Sequence, residues 1–368
     1  MNNKFIFLLL LVFVTQPNAL VFDIENEKTL NNTINHQIKD TFVFSGLAVY
    51  LNQLSYYVVD NTIKQIDPTN TEVITLNQNQ WLAIVGRFNV LAIQANQASV
   101  SFIGEKLTLK LNGARPITHL LQKNQLDTIT PELDQIRYQH LWYPFAQLAK
   151  LSETTMVFIK QALSTNWGVA ILLFAVVVKL LLLPISILTV KYQRKVSEVS
   201  TKLEPILKKI KATHDGEEAH IRLMQAHKHL GVSPFYTLKP LMSTLIQIPV
   251  LIAVFNALGE MPQFNGVPFL WFNDLAYPDN LVNLPFTIPL LGDSLNLMPF
   301  LMLIVTVIST ILFTNSKATD QEVTKQKRNL YLMGIVFFVL FYPFPSAMVM
   351  YWMFATLLQI IQQKFIRI

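Results

Sequence analysis

From Asn166 to its C-terminus the chain is a succession of five apolar runs, at residues 167–190, 241–258, 295–314, 330–342 and 347–361, and none contains an Asp or a Glu. A surface helix of a soluble protein keeps a polar stripe; a helix in lipid needs roughly 20 apolar residues and satisfies its backbone N–H and C=O groups internally. Runs of this kind predict a polytopic α-helical membrane protein with a five-helix transmembrane core. The fourth run is short and is expected to end at the turn set by Pro343 and Pro345. Composition agrees, since 52% of the 368 residues are hydrophobic and 14% charged, more apolar than ordinary soluble domains. The absence of cysteine excludes disulfides, thiolate metal sites and cysteine nucleophiles together.

The polar loops carry the orientation. Residues 191–239 hold ten Lys/Arg and 315–328 hold four, while 259–300 hold none, only Glu260, Asp274, Asp279 and Asp293. By the positive-inside rule the first two loops are cytoplasmic and the third is external. The same count puts residues 23–135 outside and the C-terminus inside. The formal charge of +6 therefore follows the apolar runs, and no direct nucleic-acid partner is expected from it.

Upstream, residues 1–22 carry Lys4, an apolar run from Phe5 and then Pro17, Asn18 and Ala19, the three regions of a secretory signal. No charge follows until Asp23, so at about 1.5 Å per residue the stretch is also long enough for a retained membrane anchor. Either sends the next segment across the membrane. Residues 23–135 are expected to form a β-rich periplasmic domain, a small β-sandwich. Leu107, Leu109 and Leu111 alternate there with Thr108, Lys110 and Asn112, and similar short runs occur at 42–51, 55–59, 81–94 and 98–103. Over residues 136–163, Trp142, Tyr143, Phe145, Leu148, Met156 and Phe158 are interleaved with Gln147, Lys150 and Glu153. That pattern fits an amphipathic helix lying in the membrane interface, with packing against the sandwich as the alternative.

Within the hairpin region 191–239, residues 191–212 and 217–230 read as helices around the turn signal Asp215-Gly216. Pro205 is expected to start or kink a helix there. The most informative single residue is Lys179, twelve residues from both Trp167 and Lys191, about 18 Å of helix either way. A cation at the bilayer centre costs about 2.5 to 3.5 kcal/mol and should face a watered cavity or a partner. No acid lies in any of the five runs, so a hydrated groove explains it better than a buried ion pair. Gln247, Asn256, Thr306, Ser309, Tyr351, Trp352, Thr356 and Gln359 supply further polar groups suited to hydrogen bonds between helices. An enzyme is not expected: HExxH, GxSxG and nucleotide-binding loops are missing. No cofactor or metal is expected, because the spacing of His214, His220, His227 and His229 does not match common tetrahedral sites.

Several separated segments, in order, resemble the YidC family of membrane protein insertases. Asn166-Trp167-Gly168, followed by a run with a central base and then Pro184, is similar to the family's first core helix. Leu203-Glu204-Pro205-Ile206-Leu207-Lys208 resembles its cytoplasmic hairpin, Leu245-Ile246-Gln247-Ile248-Pro249-Val250 its second core helix, and Pro268-Phe269-Leu270-Trp271-Phe272-Asn273-Asp274-Leu275 its external loop. The stretch from Phe344 to Trp352 with Ile360-Ile361-Gln362-Gln363 resembles its last helix, and Gln80-Trp81-Leu82-Ala83-Ile84-Val85 the end of its external domain. The resemblance covers residues 140–366. It implies an insertase and chaperone of the bacterial inner membrane, with a hydrophilic groove open to cytoplasm and lipid. Lys179 would supply the groove charge, while Gln247, Tyr351 and Trp352 would be client-contacting polar and aromatic groups. Nascent membrane proteins and lipid would be its partners, with a Sec translocon and the ribosome as weaker candidates, since no long basic tail follows Ile368. The chain departs from the family in having lysine where arginine is frequent, in Phe235-Tyr236-Thr237-Leu238-Lys239 before the second run, and in a shorter external domain. A small-solute transporter or channel would be expected to show repeat symmetry, and a membrane-anchored assembly factor would have no need of a midplane charge.

Overall fold

The computed structural model describes residues 44–69, 73–94, 97–103, 106–111, 117–233, 235, 239–313 and 320–365. The segment expected to be a signal or anchor, residues 1–22, lies outside these. The chain divides into two compact units, one of residues 1–150 with 257–265 and one of residues 151–256 with 266–368.

In the first unit, β1 (Ser55–Val59), β2 (Ile63–Ile66), β4 (Trp81–Val85), β5 (Asn89–Gln94) and β8 (Ile117–Gln122) form a five-stranded antiparallel sheet in the order β2-β1-β4-β5-β8. A second antiparallel sheet has the order β3-β6-β7, with β3 at Ile74–Leu76, β6 at Ala98–Ile103 and β7 at Lys106–Leu111. The period of two decides which side chain goes where. Val58, Leu82, Ile84 and Ile93 face one way and pack with Leu76, Val100, Phe102, Leu107 and Leu109 of the smaller sheet. Their neighbours Tyr57, Val59, Trp81, Ala83, Val85, Val90 and Ala92 face the other way, against Leu126, Leu133 and Ile136. Every residue of β4 is consequently buried, each large aliphatic side chain contributing about 1.5–3 kcal/mol. Residues 42–51, read as a strand from sequence, instead contain a 3-10 helix at Gly46–Asn52. Phe44, Ala48 and Leu51 are buried while Leu47, Val49 and Tyr50 are exposed; that spacing is helical, and the strand reading overlooked it.

Helix α1 (Tyr143–Ala162) buries Ala146, Ala149, Met156 and Ile159 and exposes Trp142 before it and Tyr143, Leu151 and Phe158 along it. In the second unit, α2 (Trp167–Leu181) begins at an Asn166 cap whose side chain accepts from Val169 N at 2.9 Å. Its first turn carries Gly168, where an added Cβ would lie 2.2 Å from the Phe269 ring; only glycine lets that ring sit on the helix. The run expected as one helix over 167–190 is two: α3 (Leu183–Thr213) follows α2 at an angle of 56°. Pro184 is the cause, having no N–H for the Leu180 carbonyl and a ring that crowds it. Further along, Pro205 lies inside α3 and does not start a helix, one of the two roles the sequence allowed it. It is exposed, so its ring meets no packed neighbour there.

A turn at His214-Asp215 leads to α4 (Gly216–His229), with Gly216 at φ +61. The remaining helices are α5 (Lys239–Glu260), α6 (Leu297–Leu312), α7 (Asp320–Phe341) and α8 (Ser346–Phe365). Helix α8 packs against both α2 and α6, and α7 packs against α6. Between α5 and α6 lies a hairpin of β9 (Val282–Ile288) and β10 (Gly292–Leu295). By length and composition no single described helix would cross a bilayer; the bent pair α2–α3 qualifies jointly, and Gln247–Glu260, Leu297–Leu312 and Ser346–Gln362 are shorter apolar helices.

Candidate functional site

Ile171, Phe174, Ala175 and Val178 recur at helical spacing and form the buried face of α2. Lys179 stands beside that face, half-buried, three residues before the break at Leu182. Its Nζ donates to Gln359 Oε1 on α8. The partner of the lysine is thus a neutral amide, which takes up one of its donors without supplying a countercharge. Gln359 stood among the polar residues read from the sequence but was not singled out; Gln247, which was, lies half-buried on α5 with no hydrogen bond to Lys179 among the described residues.

Tyr351 lies eight residues before Gln359 on α8. It is 5% exposed, with its ring centroid 6.1 Å from that of Phe174 and 6.2 Å from that of Phe255. Trp352 is half-buried among Phe255, Phe337 and Phe341, at 5.8, 5.0 and 5.3 Å. Each such ring pair adds about 0.5–1.5 kcal/mol beyond the area it buries. The two residues therefore hold α2, α5, α7 and α8 together, with Tyr351 enclosed by this packing.

The segment between α5 and α6 grips the helix ends through groups that local sequence signals do not reveal. Asp279, 5% exposed, accepts at Oδ2 from Leu297 N and Met298 N, both at 2.8 Å, and from Trp271 Nε1 at 3.2 Å. A carboxylate there complements the positive end of α6. Asn296 donates to the Tyr342 carbonyl at 2.8 Å, and the Tyr342 hydroxyl donates to the Ser294 carbonyl at 3.0 Å. At the start of α8, Ser346 N donates to Tyr277 O at 2.8 Å and Ala347 N to Leu275 O at 3.0 Å.

A second cluster of charge belongs to the first unit, which includes the last turn of α5. Glu260 is 8% exposed; its Oε2 accepts from Lys123 Nζ at 2.6 Å and its Oε1 lies 3.2 Å from His140 Nε2. Arg87 Nε donates to Gly259 O at 2.7 Å, with its guanidinium 4.6 Å from the Phe44 ring centre and 4.3 Å from that of Phe88. Burial acts to raise the Glu260 carboxyl, but Lys123, His140 and Arg87 outweigh it and hold the group below its ordinary value. Among the described residues no three His, Asp or Glu gather as metal ligands would; His227 Nδ1 bonds to the Leu223 carbonyl at 2.6 Å, and His214 lies 3.7 Å from Glu218.

The model of the family described as 60Kd inner membrane protein matches residues 158–368. The membrane protein insertase YidC of Chloroherpeton thalassium is 30% identical over 201 residues, 55% of this chain and 33% of that one. The YidC of Chlamydia trachomatis is 32% identical over 231 residues, 60% of this chain and 27% of that one. The match thus spans a third or less of those relatives' length. A solved structure of active YidC insertase with its first transmembrane domain resolved is similar over 84% of this chain and 74% of that one, at 18% identity and a TM-score of 0.42.

Proposed function

This chain belongs to the 60Kd inner membrane protein family, and from that premise we propose that it is a membrane protein insertase and chaperone that assists insertion, folding and assembly of integral membrane proteins without a covalent step. In this reading α2, α5, α6, α7 and α8 form a five-helix core in the bacterial plasma membrane. Helices α3 and α4 project into the cytoplasm, and the two-sheet unit is a periplasmic β-sandwich. The Lys/Arg-rich segment 191–239 and the Lys/Arg-free segment 259–300 support that orientation, and the core shared by the two sheets supports the sandwich.

Lys179 carries the functional reading. It is a half-buried cation on an otherwise apolar helix, bonded to an amide rather than an acid, beside a break in the helix. A cation so placed favours water around it, and the break frees backbone carbonyls that water can also reach. A client's polar flank would cross along this wetted path while its apolar part leaves into lipid. Clients and lipid are the partners this mechanism needs; Gln247 and Trp352 are further candidates for lining the path. Acidic flanks should gain most from the charge.

The test is insertion of one acidic-tailed and one neutral-tailed single-span client into liposomes holding the full chain. Lys179→Leu should lower insertion of the acidic-tailed client and leave assembly intact, whereas Lys179→Arg should retain most activity because the guanidinium keeps the charge and adds donors. If the Leu variant inserts both clients as well as the parent, the charge has no part in the mechanism.

A further inference from the structure

The hairpin of β9 and β10 presents apolar residues that the described residues leave largely uncovered, with Val282 and Phe286 exposed and Leu284 and Ile288 half-buried. Along β9, Val282, Leu284, Phe286 and Ile288 alternate with Asn283, Pro285 and Thr287, the pattern of one apolar and one polar face, although the pairing with β10 shifts register between Ile288 and Asn283. In a soluble protein that apolar face would be the buried one. Here Val282 is 51% and Phe286 61% exposed, and Leu290 at the tip is 63% exposed. The hairpin is a sheet of two strands only, which has little stability of its own in water. From Asn280 to Gly292 there is no charged residue.

We propose that this hairpin is an interfacial anchor, its apolar face lying in the outer leaflet at the boundary between headgroups and acyl chains. The inference rests on the membrane reading given above. Three observations favour lipid over a protein partner. The hairpin leads through Asn296 directly into α6, whose exposed residues Phe300, Ile304, Ile308 and Ile311 form one stripe at helical spacing; the hairpin is therefore tied to the end of a helix whose exposed stripe, in the membrane reading, faces lipid. Its base is fixed, since Asn280 N donates to Asn296 Oδ1 at 3.1 Å and Leu281 N to Leu295 O at 2.8 Å, so the face has a set attitude rather than swinging freely. Pro285 removes a main-chain donor from β9, which works against recruitment of an added strand. A face with aromatic and aliphatic groups and no charge suits burial by about 5–10 Å in the interface.

The natural lack of cysteine makes the test direct. Single cysteines replacing Phe286, Leu290, Ile304 or Asp293 in the full chain are labelled with an environment-sensitive dye, and the protein is reconstituted in vesicles containing lipids spin-labelled near the headgroup. Emission at 286 and 290 should be quenched to the same order as at 304 and roughly twofold or more above the exposed polar position 293, as shallow burial requires. Quenching at 304 but not at 286 or 290 would overturn the anchor and leave the membrane reading standing; absence of quenching at 304 as well would overturn both. A change at 286 seen only after adding a client, without quenching by lipid, would assign the face to the client and end the proposal.

Discussion

Replacing Glu260 with Leu should be among the most damaging single changes available outside the apolar core. At 2.6 Å from Lys123, the gross attraction is roughly 6 kcal/mol for an effective dielectric of about 20. Desolvating two buried ions costs a comparable amount, so the intact pair is close to break-even. One-sided removal is different, because Lys123, itself 9% exposed, keeps its desolvation cost and loses its partner. Glu260→Leu should therefore destabilise the first unit by about 3–5 kcal/mol, and Lys123→Met by a similar amount. The double variant should lose far less than the sum. Exchange protection of amides in β4 and β5, measured on the full chain in micelles, reads this stability. The pH dependence adds an independent check. Because the folded carboxyl titrates below the unfolded one, whose value is 4.5, its stabilisation is complete above that value and drains as pH falls through the folded value. Glu260→Gln should remove that acid-side loss. Additive single and double effects, or a Leu variant within about 0.5 kcal/mol of the parent, would refute the reasoning.

Two further outcomes follow from the segment between α5 and α6. Asp279→Ala removes three accepted hydrogen bonds at the start of α6 and should lower stability by about 2–3 kcal/mol, seen as earlier unfolding in a denaturant titration and faster exchange at Leu297 and Met298. Gly168→Ala would put a methyl against the Phe269 ring and should cost about 1–3 kcal/mol through overpacking, with Phe269→Leu in the same chain recovering part of the loss.

The helices and strands were legible where periodicity is local. Alternation marked β6 and β7 and short apolar runs marked β1, β4 and β5, while longer apolar runs marked the helical region, because burial leaves its pattern in the local sequence. Contacts between distant positions leave no such trace. Lys123 meets Glu260 across 137 residues, and Asp279 served in the sequence only as a sign of loop charge, with nothing to say that it caps α6. The partner of Lys179 was open for the same reason: eight polar residues on the apolar runs were equivalent by composition, and only the α2–α8 packing selects Gln359. The bend after Lys179 did have a signal in Pro184, but a hydropathy window averages over it.

The carbonyls of Leu275 and Tyr277 pin α8 at one end, which makes the helix a lever. Its 20 residues give an arm of about 30 Å, so a tilt of about 10° about the pinned end sweeps the far end through roughly 5 Å. Gln359 lies 13 residues along that arm, where the same tilt gives about 3 Å. That displacement exceeds the reach of a hydrogen bond, whereas Tyr351, close to the pivot, would shift by little more than 1 Å on the same scale. Any rocking of α8 is thus converted, along a single element, from near-immobility in the aromatic cluster into a make-or-break event at the Lys179 ammonium.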